Sequence, residues 1–292
     1  MKIISKHWHK TPQKLDPKHV KQKISDFLKE DRACQDHTTI STIPQNHNST
    51  YIVETEDNII FAGLPILIEA FSGCDLQTYI KDGDYLKKNE KICEITGPTR
   101  IILSRERVVL NLIQRLCGIA TLTCDYVKIV KKSKNPTIQI LDTRKMTPGL
   151  RLFEKYAVSV GGGENHRLDL SDGILIKDNH IIHSTITETL LLAQRERKHK
   201  IEVEVDNLKQ LSAVLPLMPD GVLLDNFKPE QIVKAINIIK AHPSSHQIFI
   251  EASGGINKQS LNKYLIKDLS AISIGALTHQ AKSKNIKLTK KN

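Results

Sequence analysis

"IEVEVDNLKQLSAVLPLMPDGVLLDNFKPEQIVKAINIIKA", residues 201–241, reads as strand, helix, strand, helix. "IEVEV" (201–205) and "VLLD" (222–225) are short, rich in β-branched residues and bounded by Asp, Asn and Gly, which marks strands. "LKQLSAVLPLM" (208–218) and "KPEQIVKAINIIKA" (228–241) repeat their apolar residues every three to four positions, which marks helices. The same grammar extends in both directions. Strands are expected at "TIQIL" (137–141), "ILIK" (174–177), "IFIE" (248–251) and "AISIG" (271–275), with a further helix at "ITETLLLAQRERK" (186–198). Apolar strands alternating with helices imply a parallel sheet covered on both faces, either an open doubly wound sheet or a barrel.

Polar residues cluster where these strands end. Asp142 and Arg144 follow the first, Lys177 closes the second, Glu204 lies near the end of the third and Asp225 closes the fourth. Glu251 and Ser253-Gly254-Gly255 follow the fifth, and Gly275 to His279 follow the sixth. In a parallel sheet these ends converge on one rim, where α/β barrels carry their active sites and bind phosphate.

Before Asn135-Pro136 the pattern differs. Asp16-Pro17 reads as a helix cap followed by proline at the first helical position, with Val20, Ile24, Phe27 and Leu28 on one face. "TYIVET" (50–55) reads as a strand, Asp57-Asn58 as a turn and "KDGDY" (81–85) as a tight loop or hairpin. Residues 104–132 read as a long helix with Val108, Val109, Leu112, Ile113 and Leu116 on its apolar face and Gly118 as its weak point. The expected organisation is an N-terminal α+β domain over 1–120 and an α/β domain over 121–279, with the tail 280–292 packing back on the first.

Composition narrows the class. The 292 residues are 39% hydrophobic and 26% charged, which suits a globular chain rather than a disordered one. The longest apolar run, 59–68, is broken by Pro65 and falls short of the roughly 20 residues that cross a bilayer. The stretch 1–14 carries no signal-peptide core, so a cytoplasmic location is expected. Five scattered cysteines without a Cys-x-x-Cys pair point to neither disulfides nor zinc, and most are expected to be small buried residues. Lys and Arg exceed Asp and Glu by 43 to 32, but aromatics are only 4% and no nucleic-acid-binding motif is present. The basic tail 282–291 is read as a solvated face, and the arginines as recognition of a small anion.

"DTRKMTPGLRLFEKYAVSVGGGENHR" (142–167) gathers Arg144, Lys145, Arg151, Lys155, His166 and Arg167 around three consecutive glycines. Glycine inside a helix costs about 1 kcal/mol relative to alanine, so the triplet suggests a loop passing close to a polyanion. Arginine forks match carboxylates, and lysine serves phosphate as a point charge. Glu204 and Asp225 amid these cations suit Mg²⁺ shared with a polyphosphate, while "EASGGI" and "SIGALTH" offer backbone amides and hydroxyls to a terminal phosphate. Two other readings stay open on the residues alone. One is a Schiff-base lysine at Lys177; the other is a basic nucleic-acid-binding protein.

Together, "ERVVLNLIQRLCGIAT" (106–121), "LDTRKMTPGLR" (141–151), "YAVSVGGGENHRLDLSDGILIKDNH" (156–180), "VEVD" (203–206), "LLDNF" (223–227), "EASGGI" (251–256) and "SIGALTH" (273–279) resemble the quinolinate phosphoribosyltransferase family. The resemblance implies an N-terminal α+β sandwich followed by an incomplete α/β barrel of about seven strands, of which six are located above. It implies phosphoribosyl transfer from phosphoribosyl pyrophosphate to quinolinate with decarboxylation, in NAD biosynthesis. Arg144, His166, Arg167 and Lys177 would hold the quinolinate carboxylates, with Arg107 arriving from a second subunit of a homodimer. Lys145, Glu204, Asp225, Ser253, Gly254, Gly275 and His279 would serve phosphoribosyl pyrophosphate, with Glu204 and Asp225 on Mg²⁺ and Lys145, Lys177, Glu204 and Asp225 catalytic. No nucleic-acid or membrane partner is implied. The sequence departs from the family pattern at Asp169 and Met146, and Asp169 adds a negative charge near a site for a dianion.

Overall fold

A computed structural model describes Trp8, His9, Pro12 and residues 14–196, 198–243 and 248–291. The stretch read for a signal peptide lies mostly outside them. In chain order the elements are α1 (Pro17–Glu30), α2 (His37–Thr42), β1 (Asn48–Thr55), β2 (Ile59–Ile60), α3 (Leu64–Ala70), β3 (Asp75–Thr78), β4 (Tyr85–Leu86) and β5 (Lys91–Pro98). Then come α4 (Thr99–Lys131), β6 (Gln139–Leu141), α5 (Arg151–Val160), β7 (Ile174–Ile176), α6 (Ile186–Glu196), β8 (Ile201–Val205) and α7 (Leu208–Val214). The chain closes with β9 (Gly221–Asp225), α8 (Pro229–Ala241), β10 (Phe249–Ser253), α9 (Leu261–Tyr264), β11 (Ala271–Ser273), α10 (Ala276–His279) and β12 (Ile286–Lys290). Two compact units divide it: Pro12–Cys124, Thr147–Gly162 and Gln280–Asn292 form one, and Asp125–Met146, Gly163–His279 and the N-terminal residues form the other.

The first unit is an antiparallel sheet in the order β12-β1-β5-β3, with helices. Asp16 caps α1 by accepting the Lys18 amide at 3.1 Å, and Val20 and Ile24 are buried. In β1 Tyr51, Val53 and Thr55 turn inward, the period of two that a one-sided sheet demands. Among the described residues one helix, α4, is long and apolar enough to cross a membrane. Its apolar residues Val109, Ile113, Leu116 and Cys117 are instead buried in the fold. Gly118 does not break it. A Cβ there would stand 2.2 Å from the Lys282 carbonyl, so the glycine is where the C-terminal segment crosses the helix. Gln114 holds that segment through Ile286 O at 2.7 Å and Lys284 N at 3.0 Å. The basic tail is a strand whose lysines stay on its solvated side: Lys287 pairs with Glu54 at 2.9 Å and Lys291 with Glu94 at 2.5 Å across the sheet.

The glycine triplet also has a structural explanation. Gly161 ends α5, and a Cβ on it would stand 2.5 Å from Ala120 O of α4, while Gly162 takes φ +86°. Two of the three glycines thus serve helix packing and termination rather than the expected approach to a polyanion. Arg151 and Lys155 likewise belong to α5, and Lys155 is fully buried. Of the cysteines, Cys93 and Cys117 are buried, with their thiols pushed up to about 12 by burial, whereas Cys34 is exposed and Cys74 and Cys124 are intermediate. The expectation of mostly buried cysteines holds for two of the five.

The second unit is a parallel sheet in the order β6-β11-β10-β9-β8-β7, interleaved with helices, an incomplete α/β barrel. Beyond β6, Glu164 makes a single parallel bridge to Leu141, with Glu164 N bonded to Ile140 O at 2.8 Å and Asp142 N to Glu164 O at 3.2 Å. The expected seventh strand is cut to that bridge. β10 runs to Ser253 rather than ending at Glu251, so Glu251 sits mid-strand, fully buried, below the rim.

Candidate active site

The carboxyl ends of the strands bring most of the expected residues of the second unit onto one rim. Arg144 and Lys145 leave β6 as exposed side chains. Arg167 is buried beside Arg144, and burial and the repulsion of Arg144 hold its guanidinium below the ordinary arginine range, against the pull of Glu202 and Asp172. Two guanidiniums that oppose each other mark a place that gains from a dianion between them.

Lys177 follows β7, and its ammonium lies 3.2 Å from Glu204 Oε2. Glu204 and Asp225 are half-buried. Burial raises both carboxyls, Asp225 adds to the rise of Glu204, and Asp206 adds to that of Asp225; Lys177 offsets part of each. Hard oxygen donors held in mutual repulsion are the donor set that Mg²⁺ suits, so the residues fit that ion.

Two loops complete the rim. Gly254 has φ +98°, and a Cβ there would stand 2.2 Å from Asn226 Oδ1, so only glycine follows Ser253. Asn226, itself at φ 54°, donates its side chain to Asp225 Oδ2 at 2.6 Å and its amide to the Ser253 carbonyl at 2.9 Å, which ties the loops after β9 and β10 together. Gly275 faces Lys145 and His279: a Cβ would lie 3.0 Å from Lys145 Cδ and 3.2 Å from His279 Nε2. Thr278 Oγ1 donates to the Lys145 carbonyl at 2.7 Å, which holds this cluster.

Beneath the rim lies a polar layer that sequence reading placed otherwise or missed. Asp142, expected at the rim, is fully buried; its Oδ1 accepts the His166 amide at 3.0 Å and its Oδ2 the Asn165 side chain at 2.6 Å. His166 is buried too. Its Nδ1 accepts the Arg167 amide at 2.8 Å, which leaves the ring hydrogen on Nε2, 3.0 Å from Glu202 Oε2 and 3.6 Å from Glu251 Oε2. Both His166 nitrogens thus face protein. Burial pushes Glu202 up to about 8, opposed by Arg167, and pushes Glu251 up to about 8 with help from Glu202. His166, Glu202 and Glu251 bring potential ligand atoms within 4.8 Å of one another, but Nε2 carries its hydrogen and offers no lone pair to a metal. The period-two spacing of Glu202 and Glu204 on one strand face was the signal for Glu202.

Asp169 turns onto its own loop, accepting Ser171 N at 2.8 Å and Ser171 Oγ at 2.6 Å. Met146, the other departure, donates its amide to the Arg144 carbonyl at 2.9 Å. Arg107 lies in the first unit, on α4. There it lines a cleft of about 540 Å³ with Phe27, Asp31 and Arg115, its side chain 65% exposed.

Residues 36–117 match the N-terminal domain of quinolinate phosphoribosyl transferase, and residues 119–289 match its C-terminal domain. A Bacillus subtilis protein described as a probable nicotinate-nucleotide pyrophosphorylase (carboxylating) is 41% identical over 92% of this chain and 92% of its own. A Methanocaldococcus jannaschii protein of the same description is 39% identical over 87% of this chain and 90% of its own. The solved nicotinate-nucleotide pyrophosphorylase of Francisella tularensis superposes with a TM-score of 0.87 at 32% identity, covering 97% of this chain and all of that one.

Proposed function

The chain belongs to the quinolinate phosphoribosyl transferase family, and we propose the following reading of how its rim performs that family's reaction. The enzyme transfers the phosphoribosyl group of phosphoribosyl pyrophosphate to quinolinate and releases CO₂, giving nicotinate mononucleotide and pyrophosphate for NAD biosynthesis. The observation that carries the site assignment is the opposed pair Arg144 and Arg167 on the same rim as the raised carboxylates Glu204 and Asp225, which face Lys177. One end of the rim takes a dicarboxylate, the other a metal-bound polyphosphate.

Arg144, Arg167 and Lys177 bind the quinolinate carboxylates and point the ring nitrogen at ribose C1. The C1–N bond forms as the C1–O bond to pyrophosphate breaks. Lys145 and His279, adjacent across Gly275, and the amides of Ser253–Gly255 hold the phosphates and stabilise charge on the leaving group. With the ring nitrogen quaternised, the bond to the adjacent carboxylate carbon breaks, CO₂ leaves, and a proton is taken up where it was attached. Positioning and charge supply most of the rate. His166 acts from below, through the Arg167 backbone, since both its nitrogens are engaged. Glu204 and Asp225 would hold Mg²⁺, which supplies charge neutralisation of the pyrophosphate. The active assembly is a homodimer, in which Arg107 of each subunit serves the rim of the other, and the enzyme works in the cytoplasm.

One incubation tests the activity. With phosphoribosyl pyrophosphate and Mg²⁺, quinolinate should yield CO₂ and nicotinate mononucleotide, nicotinate should not, and chelation of the metal should stop turnover. Product from nicotinate alone would overturn the reading.

A further inference from the structure

The N-terminal residues Trp8 and His9 sit inside the barrel unit. Trp8 packs edge-on against Phe249, ring centroids 5.2 Å apart, and joins the buried cluster of Leu141, Phe249 and Ala271. Gly221, Phe249 and Ala271 are the first residues of β9, β10 and β11, so the indole lies at the end of the strands opposite the rim. A Cβ on Gly221 would stand 2.6 Å from the indole, and a Cβ on Gly173 would stand 2.9 Å from the His9 ring. Two glycines thus leave the room that these rings fill.

His9 reaches further in. Its side chain is 3% exposed, its Nδ1 lies 3.3 Å from Asp172 Oδ2, and its ring faces that of His166 at 5.1 Å and 32°. Asp172 Oδ2 also accepts the Leu168 amide at 2.8 Å, and the Gly173 carbonyl stands 3.5 Å from an Arg167 guanidinium nitrogen. Besides Trp8, these neighbours of His9 border Arg167: the residue before it, the loop after it and the glycine beside its guanidinium. An arginine fork recognises a carboxylate only when its plane is held, and a displacement of about 1 Å is enough to cost a hundredfold.

We propose that His9, seated by Trp8, is a positioning residue for the pyridine dicarboxylate: it fixes the His166–Arg167 segment from the side opposite the substrate. This rests on the assignment of Arg167 to quinolinate made above. The contacts of His9 with Asp172, Gly173 and His166 lead to the Arg167 segment, so its influence is expected on the quinolinate side of the rim.

The test pairs His9→Ala with His9→Asn, whose amide nitrogen can stand near the position of Nδ1 and keep the contact with Asp172. The KM for quinolinate should rise about tenfold in His9→Ala, a loss of about 1.4 kcal/mol, and recover to within about threefold in His9→Asn. The KM for phosphoribosyl pyrophosphate should stay within about twofold in both. Trp8 is the only tryptophan of the chain, so its emission reports directly that the ring remains seated in each variant. A quinolinate KM unmoved in His9→Ala overturns the proposal, and so does an equal rise in both KM values, which marks a general loss of structure. If His9→Ala yields no folded protein, His9→Phe, which fills the space but drops the polar contact with Asp172, carries the same expectation and the same overturning results. Wild-type protein without quinolinate turnover sinks the underlying activity as well, whereas turnover with an unmoved variant sinks this inference alone.

Discussion

Arg144 and Lys145 are neighbours in the sequence with different work on the rim, and the difference lies in the shape of the cation. Arg144 stands close enough to Arg167 to oppose its charge, so the pair needs a partner that accepts two forks. Replacing Arg144 by lysine keeps the charge and loses the fork. Arg144→Lys should therefore lose about 2–5 kcal/mol of transition-state binding, nearly as much as Arg144→Ala, read as kcat/KM for quinolinate. A lysine variant of near-normal efficiency would remove Arg144 from the carboxylate site. Glu251 makes the opposite case, a charge the fold keeps out of water. Its carboxyl is raised from 4.5 to about 8, by burial first and by Glu202 second. Below the lower value it is protonated in folded and unfolded chains alike. Between the two, unfolding releases its proton, so stability falls as pH rises, and the loss is complete above the higher value. Urea midpoints measured across that window should fall with pH in the wild type and fall less steeply in Glu251→Gln. Parallel curves would show that Glu251 does not hold its proton in the fold.

Among the elements, α4 shows how a local rule yields to packing. Glycine in the interior of a helix costs about 1 kcal/mol, so Gly118→Ala would be expected to stabilise an isolated helix. Here the new methyl would meet the backbone carbonyl of Lys282 at 2.2 Å, and a backbone cannot rotate away as a side chain can. Gly118→Ala should lower the thermal midpoint; a raised midpoint would mean that the C-terminal segment yields instead. β10 shows the same lesson for a strand. Two more residues than the apolar run suggested move Glu251 from the rim to the interior, because "EAS" continues the ladder to β9 through Ser253↔Asp225.

For the whole molecule, the decisive question is which subunit supplies Arg107. It is exposed on α4 in a cleft of the first unit, while the other expected substrate ligands belong to the second. In a two-fold dimer the contact would be reciprocal. Arg107→Ala and Arg144→Ala should each be nearly inactive alone. Mixed by co-expression, about half of the dimers carry one of each, and one site in each mixed dimer escapes both lesions, so activity should return to about a quarter of wild type. Subunit exchange confirmed by mass without recovered activity would place Arg107 outside the partner's site.

Patterning and local chemistry were enough to determine the parallel barrel strands, the Asp16-Pro17 start of α1, the long α4, and the strand-end placement of Arg144, Lys177, Glu204 and Asp225. Each rests on spacing, capping or strand-end position, which neighbours in sequence set by themselves. Only the tertiary structure decided what lies beneath the rim. Asp142 turned inward to hold His166, a single bridge at Glu164 stood in place of the unlocated seventh strand, and Gly161 served helix packing. It also seated Trp8 and His9 among residues more than 150 positions away, against Gly221, Phe249 and His166. Burial and long-range contact are properties of what the rest of the chain brings, and no local pattern around Trp8 encodes them.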